Sequence, residues 1–256
     1  MLLYKYLNVS KAKKWLMRLD GILLTPPKHF DDESEFRVRR IPANEDEVRG
    51  LFESFGGGPK FNIFEERVTS AAYLEEEPDY MRAKMSERFG VVSLCSKPLD
   101  REMWCSYAGY DGVVIGYEAI DETKVNDSIA RFFEWGVIWK VDYETDPDRY
   151  VIKKDFSNIA RVLTLKGLEF EFEDEWRFIG RLDDAVKHAD DDKVYYTMPA
   201  YKKLIQKVIF GHEADLQFKR NFCQWLGDSD ASIEEVVYDE KGEFTTRPYV
   251  SDPSSG

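Results

Sequence analysis

The chain has 256 residues, 43% of them hydrophobic and 14% aromatic, which is enough for a sizeable core and too much for global disorder. Forty-nine acidic against 36 basic residues leave a net charge of −13, which argues against non-specific binding to nucleic acid or an anionic membrane. The three cysteines, Cys95, Cys105 and Cys223, are odd in number and lack zinc-ligand spacing, so reduced, mostly buried thiols in a cytoplasmic protein are expected.

The opening Met-Leu-Leu-Tyr-Lys-Tyr-Leu run has no charged leader before a long apolar segment. No stretch reaches the roughly 20 apolar residues of a membrane helix, so a protein neither secreted nor membrane-inserted is expected. Residues 2–7 read as a first strand. Asn8 or Ser10 can cap a helix over 11–19, which Gly21 ends. Residues 22–25 form a second short strand, broken by Pro26-Pro27. The dense mixed charge of 41–89 predicts a mainly helical insertion or lid, with helices at 65–74 and 78–89. Gly56-Gly57-Gly58-Pro59 within it is a flexible joint; it lacks the Gly-Lys-Ser/Thr ending of a phosphate-binding loop.

Residues 91–95 predict a strand, 100–108 a short helix, and 113–117 an apolar strand covered on both faces. Asp127 caps a helix running to 135, 137–143 is a strand, and 156–165 is a helix ending at Lys166-Gly167. Residues 183–192 suggest a mobile acidic loop. A strand at 194–197, a helical turn at 201–206, an apolar strand at 207–210 and an amphipathic helix at 216–226 follow. Residues 233–249 read as a hairpin turning at 239–242, and 251–256 as a loose tail. With no repeat or linker, the expectation is one α+β domain over 1–250, its mixed or antiparallel central sheet flanked by helices.

The chain is organised around 168–179, Leu-Glu-Phe-Glu-Phe-Glu-Asp-Glu-Trp-Arg-Phe-Ile. Its alternation predicts a single half-buried strand. Leu168, Phe170, Phe172, Trp176 and Phe178 share one face, with Asp174 the exception. Glu169, Glu171, Glu173, Glu175 and Arg177 share the other. Same-face neighbours lie roughly 7 Å apart, so the carboxylates repel one another and raise some of their pKa values. Arg177 and an outside cation, metal or ligand would relieve this. A solvated polar face accounts equally well for Glu169 and Glu171, whereas Glu173, Glu175 and Arg177 are candidates for a role.

Tyr4, Tyr6, Trp104, Tyr107 and Trp176 are candidates for an aromatic pocket, with a large aromatic core as the simpler alternative. Lys5 stands inside an apolar strand and needs a carboxylate partner, a ligand phosphate or an escape to solvent. If the first and central strands are neighbours, Lys5 pairs with Glu173 or Glu175. His29, His188 and His212 have no spacing that supports a metal site. No Gly-x-Ser-x-Gly elbow anchors a catalytic triad. Cys105 has no neighbour that would activate it.

Four blocks recur in order. They are Leu3-Tyr4-Lys5-Tyr6, Phe30-Asp31-Asp32, Met103-Trp104-x-x-Tyr107-Ala108 with Gly112-Val113-x-Ile115-Gly116, and Phe170-x-Phe172-Glu173-x-Glu175-Trp176-Arg177. Together they resemble the bacterial and phage family known as domain of unknown function 2971, over almost the whole chain. The resemblance implies that Glu173, Glu175 and Arg177 belong to that family's most characteristic block. It implies no activity. The chain departs from the family pattern at Asp31 and Glu33, since the family usually shows Phe-Asn-Asp-Pro where this chain has Phe30-Asp31-Asp32-Glu33. It also lacks two histidines, one at the position of Ser106 and one before Gly112, so any histidine-dependent chemistry is lost or changed here.

The order of features also resembles the ADP-ribosyltransferase fold, in which a late glutamate holds the ribose of a nicotinamide nucleotide. That resemblance implies Glu173 or Glu175 as the catalytic carboxylate, Lys5 and Arg177 as phosphate ligands, Tyr107 or Trp104 as the stacking ring, and NAD as cofactor or substrate. Two other functions are open. One is a phage- or defence-associated interaction protein with a protein partner, in which Glu173, Glu175 and Arg177 form a buried ion-pair network. The other is a magnesium-dependent nuclease ligated by Asp31, Asp32, Glu173 and Glu175.

Overall fold

The computed structural model describes residues 1–32, 35–36, 45–54, 56–118, 136–145, 162–190, 193–199 and 202–250. The helix expected from Asp127 to 135, most of that at 156–165, and the tail lie outside these residues.

The chain folds as an α+β protein around a mixed sheet of eight strands, in the order β13-β12-β11-β4-β1-β3-β8-β5. Strand β1 (Leu2–Leu7) is central, paired antiparallel to β4 (Val113–Glu118) along its whole length. On its other side it meets β3 (Phe89–Cys95) at one position only, Tyr4↔Cys95. Strand β8 (Glu175–Arg181) lies between β3 and β5 (Gly136–Lys140), antiparallel to both. On the far side β11 (Ile205–Phe210) pairs with β4. It runs parallel to β12 (Ser232–Tyr238), which turns back through β13 (Phe244–Pro248) as the expected hairpin.

One sheet face is covered by the first helix, by α6 (Leu216–Leu226) and by the small sheet β2-β10-β9 (Gly21–Leu23, Lys193–Pro199, Val186–Asp190). Leu3, Leu16, Leu94, Ile115, Phe178, Phe210 and Phe222 form the core there. The first helix starts where Asn8 accepts a hydrogen bond from the Lys11 amide. It is α-helical only over α1 (Val9–Lys11) and continues as a π-helix over Ala12–Arg18. Gly21 begins β2 rather than ending the helix. The acidic loop expected at 183–192 is instead a 3-10 turn (Leu182–Asp184) followed by β9.

The opposite face carries α5 (Arg101–Met103), capped by Asp100, and a π-helical turn (Trp104–Ala108). The described residues within 41–89 contain three helices, α2 (Glu45–Ser54), α3 (Phe61–Val68) and α4 (Ala71–Ser86); the helix expected at 65–74 is interrupted after Val68, and α4 runs through the break expected before Pro78. Gly56, Gly57 and Gly58 joining the first two all have positive φ, which explains the glycine run. Arg82 on α4 donates to the carbonyls of Pro27, Phe30 and Asp32 at 3.1–3.2 Å, and so fixes the loop after β2.

The principal correction concerns 168–179. Its first half is a 3-10 helix (Leu168–Glu173), and only the second half is strand. Strand β7 (Leu165–Gly167) pairs with the short β6 (Asp142–Glu144) up to Gly167 and stops. Without a ladder partner the next residues coil, and Asp174 in the left-handed region (φ 42°, ψ 52°) redirects the chain into β8. Glu169 and Glu171 are exposed, as a solvated face requires.

Candidate functional site: a buried charge network behind an aromatic cavity

The alternation within β8 places Glu175 and Arg177 on the face away from Trp176 and Phe178. Both are buried, with Arg177 at 0% exposure. A charge in that position requires compensation. Arg177 donates through Nε and Nη2 to both oxygens of Glu175 at 2.9 and 3.0 Å. It also donates through Nη2 to Glu35 at 2.8 Å and through Nη1 to the Leu163 carbonyl at 2.9 Å. Its guanidinium stacks on the ring of Phe36, 4.7 Å from the centroid.

The second cation is Lys166, at the heart of β7. Its ammonium lies 2.6 Å from Glu173, 3.1 Å from Glu35 and 3.2 Å from Glu175. Glu173 closes the network by accepting a 2.6 Å hydrogen bond from the Tyr107 hydroxyl. Three carboxylates and two cations therefore share one site. The outside cation that the glutamate row required is Lys166, from the chain itself.

The electrostatics follow from burial set against these pairings. Burial alone would raise the Glu175 pKa, but Arg177 and Lys166 outweigh it and hold the carboxyl down at about 2. Burial works against the charge of Lys166, yet Glu175, Glu35 and Glu173 keep it well above the ordinary lysine value. Glu35 is raised, because burial there exceeds the attraction of Arg177 and Lys166. Burial and the hydrogen bond to Glu173 push Tyr107 far up.

In front of the network is a cavity of about 210 Å³. Its lining includes Tyr4, Tyr6, Phe30, Tyr107 and Phe170 as rings, and Asp31, Asp32, Glu35, Glu173, Glu175, Lys5 and Lys166 as charges. Each arrives for a local reason. The three-residue period of the 3-10 helix puts Phe170 and Glu173 on one side. Gly116, opposite Tyr4 in the ladder, makes room for that ring: a Cβ there would sit 2.8 Å from it. Tyr6 is anchored by its hydroxyl to the Lys97 carbonyl at 2.6 Å and packs edge-on against Trp104.

Of the residues singled out from sequence, Tyr4, Lys5, Tyr6, Asp31, Asp32, Tyr107, Glu173 and Glu175 thus come together around one cavity. Trp104 and Arg177 do not line it. Trp104 is at 0% exposure in the core, its ring nitrogen donating to the Pro98 carbonyl. The hydrogen-bonding edges of Arg177 are turned to Glu35, Glu175 and Leu163. The expected ion pair of Lys5 with Glu173 or Glu175 is not formed. Strand β3 separates β1 from β8, and Lys5 Nζ donates to the Ser93 carbonyl at 2.9 Å.

Sequence reasoning missed Glu35, Lys166 and Tyr143, whose hydroxyl accepts from the Glu175 amide at 2.8 Å. Glu35 had no signal, since it sits in a turn and carries no periodic pattern. Lys166 had a signal akin to that of Lys5: a lysine that ends an apolar run, where Lys5 interrupts one. Among the described residues no group of three His, Cys, Asp or Glu side chains is placed to hold a metal ion, and no helix is long and apolar enough to cross a membrane. Cys95 lines the cavity, but burial pushes its thiol up to about 11, away from nucleophilic use.

No protein-family model, curated protein or solved structure matches the chain.

Proposed function

We propose that the chain processes a nicotinamide nucleotide of the NAD class, taking its ring-and-ribose end into the cavity in the manner of an ADP-ribosyltransferase-like enzyme. The observation that supports this is the character of the wall: five carboxylates and two ammonium groups around five aromatic rings. A pyridinium ring is flat and cationic, and such a wall attracts it by stacking, by cation–π contact and by net charge. The volume sets a limit. About 210 Å³ falls below the roughly 300–1,000 Å³ of pockets that enclose a drug-sized ligand, so one end of the dinucleotide enters and the diphosphate stays outside.

Glu175, at about 2, is ionised at every physiological pH. It serves as fixed negative charge and not as a general acid. Glu173, held by Tyr107 and Lys166, presents the second carboxylate at the wall. Negative charge beside a sugar carbon that becomes oxocarbenium-like favours departure of the nicotinamide. Arg177 takes no part in holding phosphate in this reading; it fixes Glu175 from behind. The family resemblance remains part of the proposal, and a phage or defence setting belongs to the interaction-protein alternative.

Thermal unfolding with millimolar NAD tests it. A ligand bound only by the folded state stabilises by about 2.7 kcal/mol at a hundredfold excess over its dissociation constant. The expected result is such a shift, lost in Glu173→Gln. No shift in the wild type sinks the reading.

One observation favours a non-catalytic interaction protein instead: every carboxylate oxygen of Glu35, Glu173 and Glu175 has a partner within the chain. On that reading Glu173→Gln lowers the melting temperature and NAD changes nothing. The same saturation leaves little for magnesium, so the nuclease reading has the least support.

A further inference from the structure

We propose that Lys5 is a nucleophilic amine, and that the cavity performs imine chemistry on a ring-sized aldehyde or ketone. This stands whether or not the cavity accepts a pyridinium.

The two cavity lysines make the case by contrast. Lys166 is saturated by three carboxylates. Among the described residues, Lys5 has no carboxylate within ion-pair distance, and its ammonium donates to one neutral carbonyl, that of Ser93. Lys5 lies in the middle of the central strand, yet its side chain keeps partial exposure. With β4 paired along one whole edge of β1, the opening lies on the β3 side, where the ladder is reduced to Tyr4↔Cys95. Tyr4, Tyr6, Ser93, Leu94 and Cys95 on both sides of that gap line the cavity together with Lys5.

The chemistry of the surroundings fits an amine nucleophile. Burial, with the nearby Lys11 cation adding to it, lowers the Lys5 pKa to about 8, against the weaker pull of Glu175. At neutral pH this gives a neutral-amine fraction on the order of a hundredfold above that of an ordinary lysine. Desolvation and a cationic neighbour are the two known means of activating lysine for Schiff-base formation. The step balances without any further reagent. The Nζ lone pair forms a bond to the carbonyl carbon as the C=O π pair moves onto oxygen. The oxygen then leaves as water, carrying both protons lost by the nitrogen, and a C=N bond remains. The aromatic lining selects carbonyls attached to a flat ring.

The test uses the full-length protein, pyridine-3-carbaldehyde as probe and cyanoborohydride to trap the imine, followed by peptide mapping. Fragmentation places the adduct on the Lys5 side chain or elsewhere, with the exposed surface lysines as internal reference. The expected result is Lys5 labelled at least about tenfold more than any surface lysine, with that adduct lost in Lys5→Arg and the surface-lysine labelling unchanged. Labelling spread over surface lysines by exposure, or no adduct on Lys5 in the folded protein, overturns the proposal. Should Lys5→Arg fail to fold, the wild-type map alone decides between these outcomes.

Discussion

Two ion-pair clusters in this molecule use similar chemistry in different surroundings. Behind the cavity, Glu35, Glu173 and Glu175 share Lys166 and Arg177, and all five side chains are at 7% exposure or less. At the rim of the sheet, Glu235 takes Lys219 at 2.7 Å and Arg247 at 2.6 Å, with Arg247 65% exposed. The distances are similar, so geometry does not separate the two; water does. At the rim, solvent stands ready to take the place of the exposed Arg247, whereas Lys219 and Glu235 are at 10% and 15% exposure. Behind the cavity the side chains are at 7% exposure or less, Arg177 at 0%, so each charge depends chiefly on the others. An interior network of this kind contributes less to net stability than its contacts suggest, but losing one member is severe.

The largest expected effect is therefore Arg177→Met, which leaves Glu35, Glu173 and Glu175 with Lys166 as their one cation in the network. Denaturant unfolding should show a loss of about 3–5 kcal/mol, partly recovered when Glu175→Gln is added. A loss under about 1 kcal/mol would erase the contrast with the rim.

Next comes the acid profile. Glu175 has a folded pKa near 2, below its ordinary value of 4.5. Its contribution is thus complete above 4.5 and lost as pH falls towards 2, amounting to about 3 kcal/mol. Glu35 is shifted upwards, so it has the opposite sign: its cost is present at neutral pH and relieved as pH falls through its folded pKa. Stability measured from pH 7 to 2 should flatten below 4.5 in Glu175→Gln; an unchanged slope would show that Glu175 does not dominate.

A smaller change is expected for Tyr107→Phe. It removes the 2.6 Å bond to Glu173 and should cost about 1 kcal/mol of stability while weakening any ligand bound at that wall. Smallest is Arg247→Gln at the rim, within about 0.5 kcal/mol and shrinking further as salt is raised.

The legibility of this site differs from residue to residue for physical reasons. The alternation 175–179 read correctly because β3 and β5 flank it and impose the period of two. The equally clean alternation 168–173 misled, because alternation describes a strand only where another strand is present to pair. The left-handed turn at Asp174 that separates the two halves was hinted at by its place as the odd polar residue on the apolar face. Lys5, Tyr4, Tyr6, Tyr107, Asp31 and Asp32 were found as unusual residues in ordered blocks, and they do converge. Glu35 was invisible, since only long-range packing brings it to Arg177, 142 positions away in sequence. Lys166 was visible in principle, by the argument that exposed Lys5.

The proposed function requires the cavity wall to select a flat cationic ring. Titration calorimetry with 1-methylnicotinamide and with neutral nicotinamide tests it most directly. The two share a ring and differ chiefly in charge. The cation is expected to bind measurably tighter, and Glu173→Gln to narrow the difference. Equal affinity, or preference for the neutral ring, would contradict it.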